Sequence, residues 1–344
     1  MIRSLAWAGI RAQVSSDAPA HVAFLERYCG PILCDGGQPP DIELTARWIR
    51  GLFARSSVRR SSTEAATYDV IGSGTWAAKH ALVKHEKVRK RRCRFEFALD
   101  EPRFRGTMVF QERGLRQAFS RLDDSLLAHV NYYMVCYPIF WYLETFRDVH
   151  VLHAAAMRIR GRTVLIFGLD GVGKTMLTLG LMRRPETEFI ADNLALFDGS
   201  RVFATWQPVK VRHRDAWRIP PARFIHAMRC QLRTFLQPRA VLAEHVVERG
   251  VLLLPYFSQQ PTLEMLGAQE GLDLIQNLNS LPDELEHYEH YVHLLNILGK
   301  KPPLGPQRRQ ALSTLLQRLT IYRVGMGAGE PFERVLERIN EVLN

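Results

Sequence analysis

Cysteine is scarce in this chain. There are five in 344 residues, Cys29, Cys34, Cys93, Cys136 and Cys230, an odd number without metal-site spacing. That speaks against a disulfide framework or a cysteine zinc site and fits a reducing, cytoplasmic setting. An internal repeat and a long low-complexity linker are missing too, so the two regions of the chain are expected to share a large interface. The opening residues MIRSLAWAGIRAQV lack the continuous apolar core of a signal peptide. The most apolar segment, Asp124 to Leu143, approaches the length of a membrane span, but His129, Asn131 and Pro138 interrupt it. It is read as a buried helix with a kink at the proline, not a span. Acidic charge is also short, leaving a formal net charge of +11, while 47% hydrophobic and 24% charged residues give ordinary globular composition, long enough for two domains.

What the first 145 residues do contain reads as an α+β region. Leu5 to Val14 is expected as one strand, followed by a helix from about Ala18 with Pro19 in its first turn. Gly30, Pro31, Gly36, Gly37, Pro39 and Pro40 mark a loop, after which Ile42, Leu44, Ala46 and Trp48 alternate with polar positions as in a half-buried strand. Residues 55–63 read as a polar loop. From Lys84 to Arg94 the chain carries its densest positive charge, and Phe95, Phe97 and Leu99 then resume strand alternation. The strip is read as a solvated hairpin edge, with a nucleic-acid or other polyanion site as the open alternative.

The rest of the chain is organised around residues 153–196. Gly168-Leu169-Asp170-Gly171-Val172-Gly173-Lys174-Thr175 matches G-x-x-x-x-G-K-[ST], a loop that cradles phosphate. Glycine without a Cβ lets backbone N–H groups approach a polyphosphate at a helix N-terminus, where the dipole also favours an anion. An apolar run, Val164 to Phe167, predicts a buried strand before the loop, and Met176 to Met182 predicts a helix after it. Lys174, facing solvent in the empty loop, would reach the β- and γ-phosphates, and Thr175 offers a hydroxyl to Mg²⁺. Val149 to Ile159 reads as one strand, joined through Arg160-Gly161-Arg162 to the loop strand as a hairpin. Glu188 to Ala191 reads as a second strand ending in Asp192-Asn193; placed beside the loop strand, its end would lie near the phosphates.

This constellation resembles the HPr kinase/phosphorylase family and its looser HPr-kinase-like relatives, whose nucleotide fold is similar to that of phosphoenolpyruvate carboxykinase. Members carry a His shortly before a hairpin, a G-x-x-G-x-G-K-[ST] loop, and a strand ending in a small residue followed by one or two acids. His153, the Gly168 to Thr175 loop and Ala191-Asp192 match in order and spacing, over about residues 146–212. The resemblance implies an α/β P-loop nucleotide-binding domain over 146–344 and an ATP-dependent kinase that transfers the γ-phosphate to a hydroxyl, a serine of a protein or peptide. Gly168, Asp170, Gly171, Val172, Gly173, Lys174 and Thr175 would bind the nucleotide, and Thr175, Asp192 and Asn193 the Mg²⁺. Asp192 would accept the hydroxyl proton, and His153 would orient the acceptor or stabilise transferred charge. Asp192 as chiefly a Mg²⁺ ligand and His153 as a packed core residue stand as alternatives.

Two departures matter. Asn193 stands where members have a second acid, and the nearest match to the glycine-rich segment linked with phosphorylase activity is Val324 to Glu330. A nucleotide-dependent switch or scaffold without transfer, and a small-molecule kinase, are therefore carried as alternatives, and a homo-oligomer is left open. Further on, Val202 to Arg212 reads as two short strands around Pro208; the resemblance makes Lys210 and Arg212 candidate phosphate contacts, with surface solvation the commoner role for each taken singly. Residues 239–249 read as a helix, and Val251 to Pro255 as a short buried strand. His287, His290 and His293 recur every three residues, more often a polar helix face than a metal site. Leu319 to Val324 reads as a strand and Pro331 to Leu343 as an amphipathic helix, with Gly325, Gly327 and Gly329 between them as a tight connection or a second anion loop.

Overall fold

The computed structural model describes residues 1–50, 69–72, 74–78, 80–88, 91–112, 124–205, 207, 209–212, 224–230, 233–238, 241–279 and 283–343. The 55–63 loop lies outside them. The chain divides into two compact units, Met1–Arg147 with Tyr288–Pro303, and Asp148–His287 with Leu304–Asn344.

In the first unit, β1 (Ile2–Trp7) and β2 (Ile10–Ser16) form a hairpin, so the single strand expected from Leu5 to Val14 is broken in two. Ala8 and Gly9 both take positive φ, the geometry of the two-residue turn that matches strand twist. Helix α1 (Pro19–Cys29) follows, then β3 (Leu33–Cys34), β4 (Ile42–Arg50), β5 (Asp69–Gly72), β6 (Thr75–Ala78), β7 (Ala81–Val88), β8 (Arg91–Asp100) and β9 (Arg103–Glu112). Among the described residues these strands make one sheet in the order β3-β1-β2-β4-β9-β8-β7-β6-β5. The hairpin carrying the basic strip therefore lies inside the sheet and not at its edge. Lys84 and Arg94 are buried there, paired with Glu86 at 2.6 Å and Glu96 at 2.8 Å. Arg89 and Lys90 lie outside the described residues.

Helix α2 (Asp124–Asn131) runs through a π turn (Tyr132–Cys136) into α3 (Tyr137–Phe146). The N–H of Tyr137 bonds the carbonyl of Tyr132, five residues back. The irregularity expected at Pro138 thus takes the form of a widened turn just ahead of it, which accommodates a residue with no N–H to give. This helix packs by its rings, Phe140 against Trp7 and Trp141 against Phe104, at centroid distances of 5.4 and 5.2 Å. Among the described residues no helix is long and apolar enough to cross a membrane.

The second unit opens with β10 (His150–Leu152) and β11 (Ala154–Ile159), then β12 (Arg162–Phe167), α4 (Lys174–Leu181), β13 (Thr187–Ala191), β14 (Ala195–Phe197), β15 (Arg201–Phe203), β16 (Val209–Arg212), β17 (Phe224–Cys230), β18 (Arg233–Pro238) and β19 (Glu244–Val246). It closes with β20 (Gly250–Ser258), β21 (Thr262–Leu266), α5 (Ala268–Asn279), α6 (Asp283–Gly299), α7 (Gly305–Leu316), β22 (Leu319–Gly327) and α8 (Phe332–Leu343). Helix α6 passes from this unit into the first, to which Tyr288–Pro303 belong.

Its main sheet has the order β13-β11-β12-β20-β22-β21, with β12, β20 and β22 parallel. Smaller sheets are β10-β14-β15-β19 and β16-β18-β17. The result is a mixed α/β architecture. Val164, Ile166, Val251 and Leu253 of the main sheet are buried against Leu177 and Leu181 of α4 and Val335 and Ile339 of α8. Gly180 permits that packing, since a Cβ there would sit 2.8 Å from Leu336. One expectation fails here: residues 241–249 are not helical but hold β19. The strand expected over Val251 to Pro255 is present and runs from Gly250 to Ser258.

Candidate functional site

The apolar run before the glycine loop forms β12, and the loop hands the chain to α4. Gly171 and Gly173 take φ of 84° and 93°, a region that side-chain-bearing residues rarely adopt. A Cβ on Gly168 would lie 2.9 Å from Val172 Cγ2, so the loop closes tightly on itself. Lys174 does not face solvent as expected. Its ammonium donates to the carbonyls of Gly168 at 2.7 Å and Leu169 at 3.0 Å, and lies 3.6 Å from Asp170 Oδ1.

The strand expected over Val149 to Ile159 is interrupted at His153, because β10 pairs with β14 while β11 joins the main sheet. His153 is fully buried at that break. Its Nε2 lies 3.0 Å from Asn193 Oδ1 and 3.5 Å from Asp170 Oδ1, and its backbone N–H donates to Asn279 Oδ1 at 2.9 Å. Asp192 and Asn193 occupy the matching gap between β13 and β14. The strand before Asp192 is not beside the loop strand: β11 lies between them. Even so, Thr175 Oγ1 donates to Asp192 Oδ2 at 3.1 Å. The amide nitrogen of Asn193 is buried without a hydrogen-bond partner.

The structure therefore brings His153, Asp170, Lys174, Thr175, Asp192 and Asn193 together around one loop. Among the described residues no group of three or more His, Cys, Asp or Glu could hold a metal. The exposed His287, His290 and His293 are thus a helix face, and a cation at the loop would draw on oxygens alone, from Thr175, Asp192 and its own ligand. That donor set suits a hard cation such as Mg²⁺. The amide oxygen of Asn193 is turned to His153, which leaves it a weaker candidate ligand.

Other expected residues fall elsewhere. Lys210 and Arg212 lie in β16, in a different sheet from the loop strand, and their side chains are outside what the structure describes. Gly325 and Gly327 lie within β22, and the carboxylate of Glu330 already accepts the N–H of Gly327 at 3.1 Å, so this segment is not a second anion loop. Pro208 lies outside the described residues. Sequence reasoning missed Asn279, whose contact to His153 spans 126 positions with no local pattern to announce it.

No family model matches the chain, and no curated protein matches it. A comparison with solved structures finds an Hpr(Ser) kinase/phosphatase from Coxiella burnetii at 13% identity, over 56% of this chain and 97% of that one, with a TM-score of 0.25. It bears the family name reached from the motifs, but a TM-score that low adds no weight to it.

Proposed function

We propose that this chain is an ATP-dependent phosphotransferase that moves a γ-phosphate to a hydroxyl, with a serine of a protein or peptide as acceptor. The observation that carries the reading is the convergence on one glycine loop of its own lysine and hydroxyl with a carboxylate and a histidine, from three separate stretches of chain. The loop N–H groups and Lys174 hold the phosphates, the lysine leaving the loop carbonyls for phosphate oxygens. Thr175 and Asp192 would hold a Mg²⁺, whose charge would offset that of the triphosphate. Asp192 takes the proton of the attacking hydroxyl, and His153, fixed by Asn193 and Asn279, orients the acceptor.

One observation favours a second reading. Asn193 cannot take a proton, and its oxygen is engaged by His153, which suits a nucleotide-dependent switch that transfers nothing. A single experiment separates them. ATP labelled at the γ-position is incubated with the protein, Mg²⁺ and fractionated extract, alongside Lys174→Ala. Label appearing on an acceptor with the native protein only supports transfer; tight nucleotide binding with no labelled acceptor supports the switch. Unchanged nucleotide affinity in Lys174→Ala would remove the loop from either.

A further inference from the structure

Strands β20 and β22 overshoot the strand that carries the loop. The last pair between β12 and β20 is Ile166 with Leu253, whereas β20 and β22 stay paired as far as Ser258 and Gly327. The overshoot forms a ledge of β20 and β22, flanked by the start of β21, beyond the point where the loop departs. It borders the loop twice: a Cβ on Gly168 would lie 3.4 Å from the carbonyl of Pro255, and one on Gly173 would lie 3.8 Å from Met326 Cε.

Alternate residues of a strand share a face, so Leu253, Pro255 and Phe257 point the same way, as do Val324 and Met326 beside them. Leu253 and Val324 belong to the core packed on α4 and α8. Met326 is still partly buried against that core, whereas Phe257, directly paired with it, is 71% exposed. The ledge is held in place. Arg338 donates to the carbonyls of Thr262 at 3.1 Å and Gly325 at 3.2 Å and pairs with Glu330, which in turn binds the N–H of Gly327.

Resting on the phosphate-loop reading, we infer that Phe257 and Met326 form the shelf on which the base of the bound nucleotide stacks. A phenyl ring and a polarisable thioether, standing beside a loop that holds phosphates, meet the flat face of a heteroaromatic ring and leave its hydrogen-bonding edges unread. Such a shelf takes purine nucleoside triphosphates as a class and discriminates weakly between ATP and GTP.

The test measures binding of ATP, GTP and inorganic tripolyphosphate, each with Mg²⁺, to the full chain and to Phe257→Ala and Phe257→Trp. Stacking on one aromatic side chain corresponds to a loss of roughly 5- to 100-fold on truncation. The expected result is that Phe257→Ala weakens ATP and GTP alike by that factor, leaves tripolyphosphate within about 2-fold, and is rescued by Phe257→Trp. Unchanged ATP affinity in Phe257→Ala overturns the shelf and leaves the ring as a contact for another protein. Equal losses for ATP and tripolyphosphate overturn it as well. Failure of the loop itself reads differently: tripolyphosphate would not bind, or would bind Lys174→Ala as well as the native protein.

Discussion

The interior of the nine-stranded unit and the rim of the six-stranded sheet place polar groups differently. In the first, rings fill the space, with Phe95 and Phe97 on Tyr291 and Phe104 on Trp141, and some of the polar atoms among them are paired while others, such as the hydroxyl of Tyr291, are buried without a hydrogen bond. The hydroxyl of Tyr288 donates to Glu144, and the indole of Trp141 to Asn296 at 2.9 Å. In the second, polar groups gather where strands stop: His153 between β10 and β11, Asp192 and Asn193 between β13 and β14, and the loop after β12. A side chain at a strand end stands beside backbone groups that the ladder no longer uses, and both can turn to a ligand. Polar groups packed among rings lie away from solvent and ligand; on the proposed function, those gathered at strand ends are the ones that would meet a ligand.

If that contrast holds, substitutions in the two places should register on different instruments. The largest effect is expected from Asp192→Asn, which keeps shape and removes a proton acceptor. Turnover should fall about 10²- to 10⁴-fold while nucleotide still binds and the melting temperature barely moves. Recovery of most of the rate at raised Mg²⁺ would recast Asp192 as chiefly a metal ligand, and full activity would remove it from the mechanism. Asn193→Asp adds the opposite arm, a rise in transfer if the missing acid limits activity.

In the ring-filled unit the readout should be stability alone. Tyr288→Phe leaves the buried Glu144 without that donor, at a cost of about 3 kcal/mol, seen as a lower denaturant midpoint with nucleotide affinity unchanged. A loss of affinity equal to the loss of stability would erase the distinction between the two regions.

The smallest effect tests one of the unpartnered groups of the first unit. His21 is buried near Trp48, neither ring nitrogen has a hydrogen-bond partner, and burial lowers its pKa from 6.5 to about 4. Because the folded value is the lower one, the unfolded chain takes up the proton first. This contribution is intact above pH 6.5 and is lost as pH falls from there toward 4, by about 2 kcal/mol at pH 5. His21→Phe should flatten that part of the stability profile. An unchanged slope between pH 6.5 and 4 would mean that His21 is not the group responsible.

Much of the second unit was legible in sequence because its rules are local. An apolar run, a glycine loop and a helix in that order specify β12, the loop and α4 through backbone geometry within a few residues, and Arg160-Gly161 turns the hairpin with two positive φ angles. The alternation of Ile42, Leu44, Ala46 and Trp48 likewise gave β4. Errors came where one apolar run was divided between partners: Ala8-Gly9 was hidden inside an apolar stretch, and the Val149 to Ile159 strand splits because its halves join different sheets.

By itself, then, the sequence determined the succession of strand, glycine loop and helix and which segments would bury an apolar face, since both follow from residue type and spacing. Only the tertiary structure decided that β11 separates the strand of Asp192 from the strand of the loop, and that Lys174 turns into the loop's own carbonyls. It also brought Asn279 to hold the backbone of His153, and set Phe257 beside Met326 at the loop's edge. The physical reason is that strand order and register are chosen by the burial of whole faces across the sheet, a sum over residues far apart in the chain that no local pattern encodes.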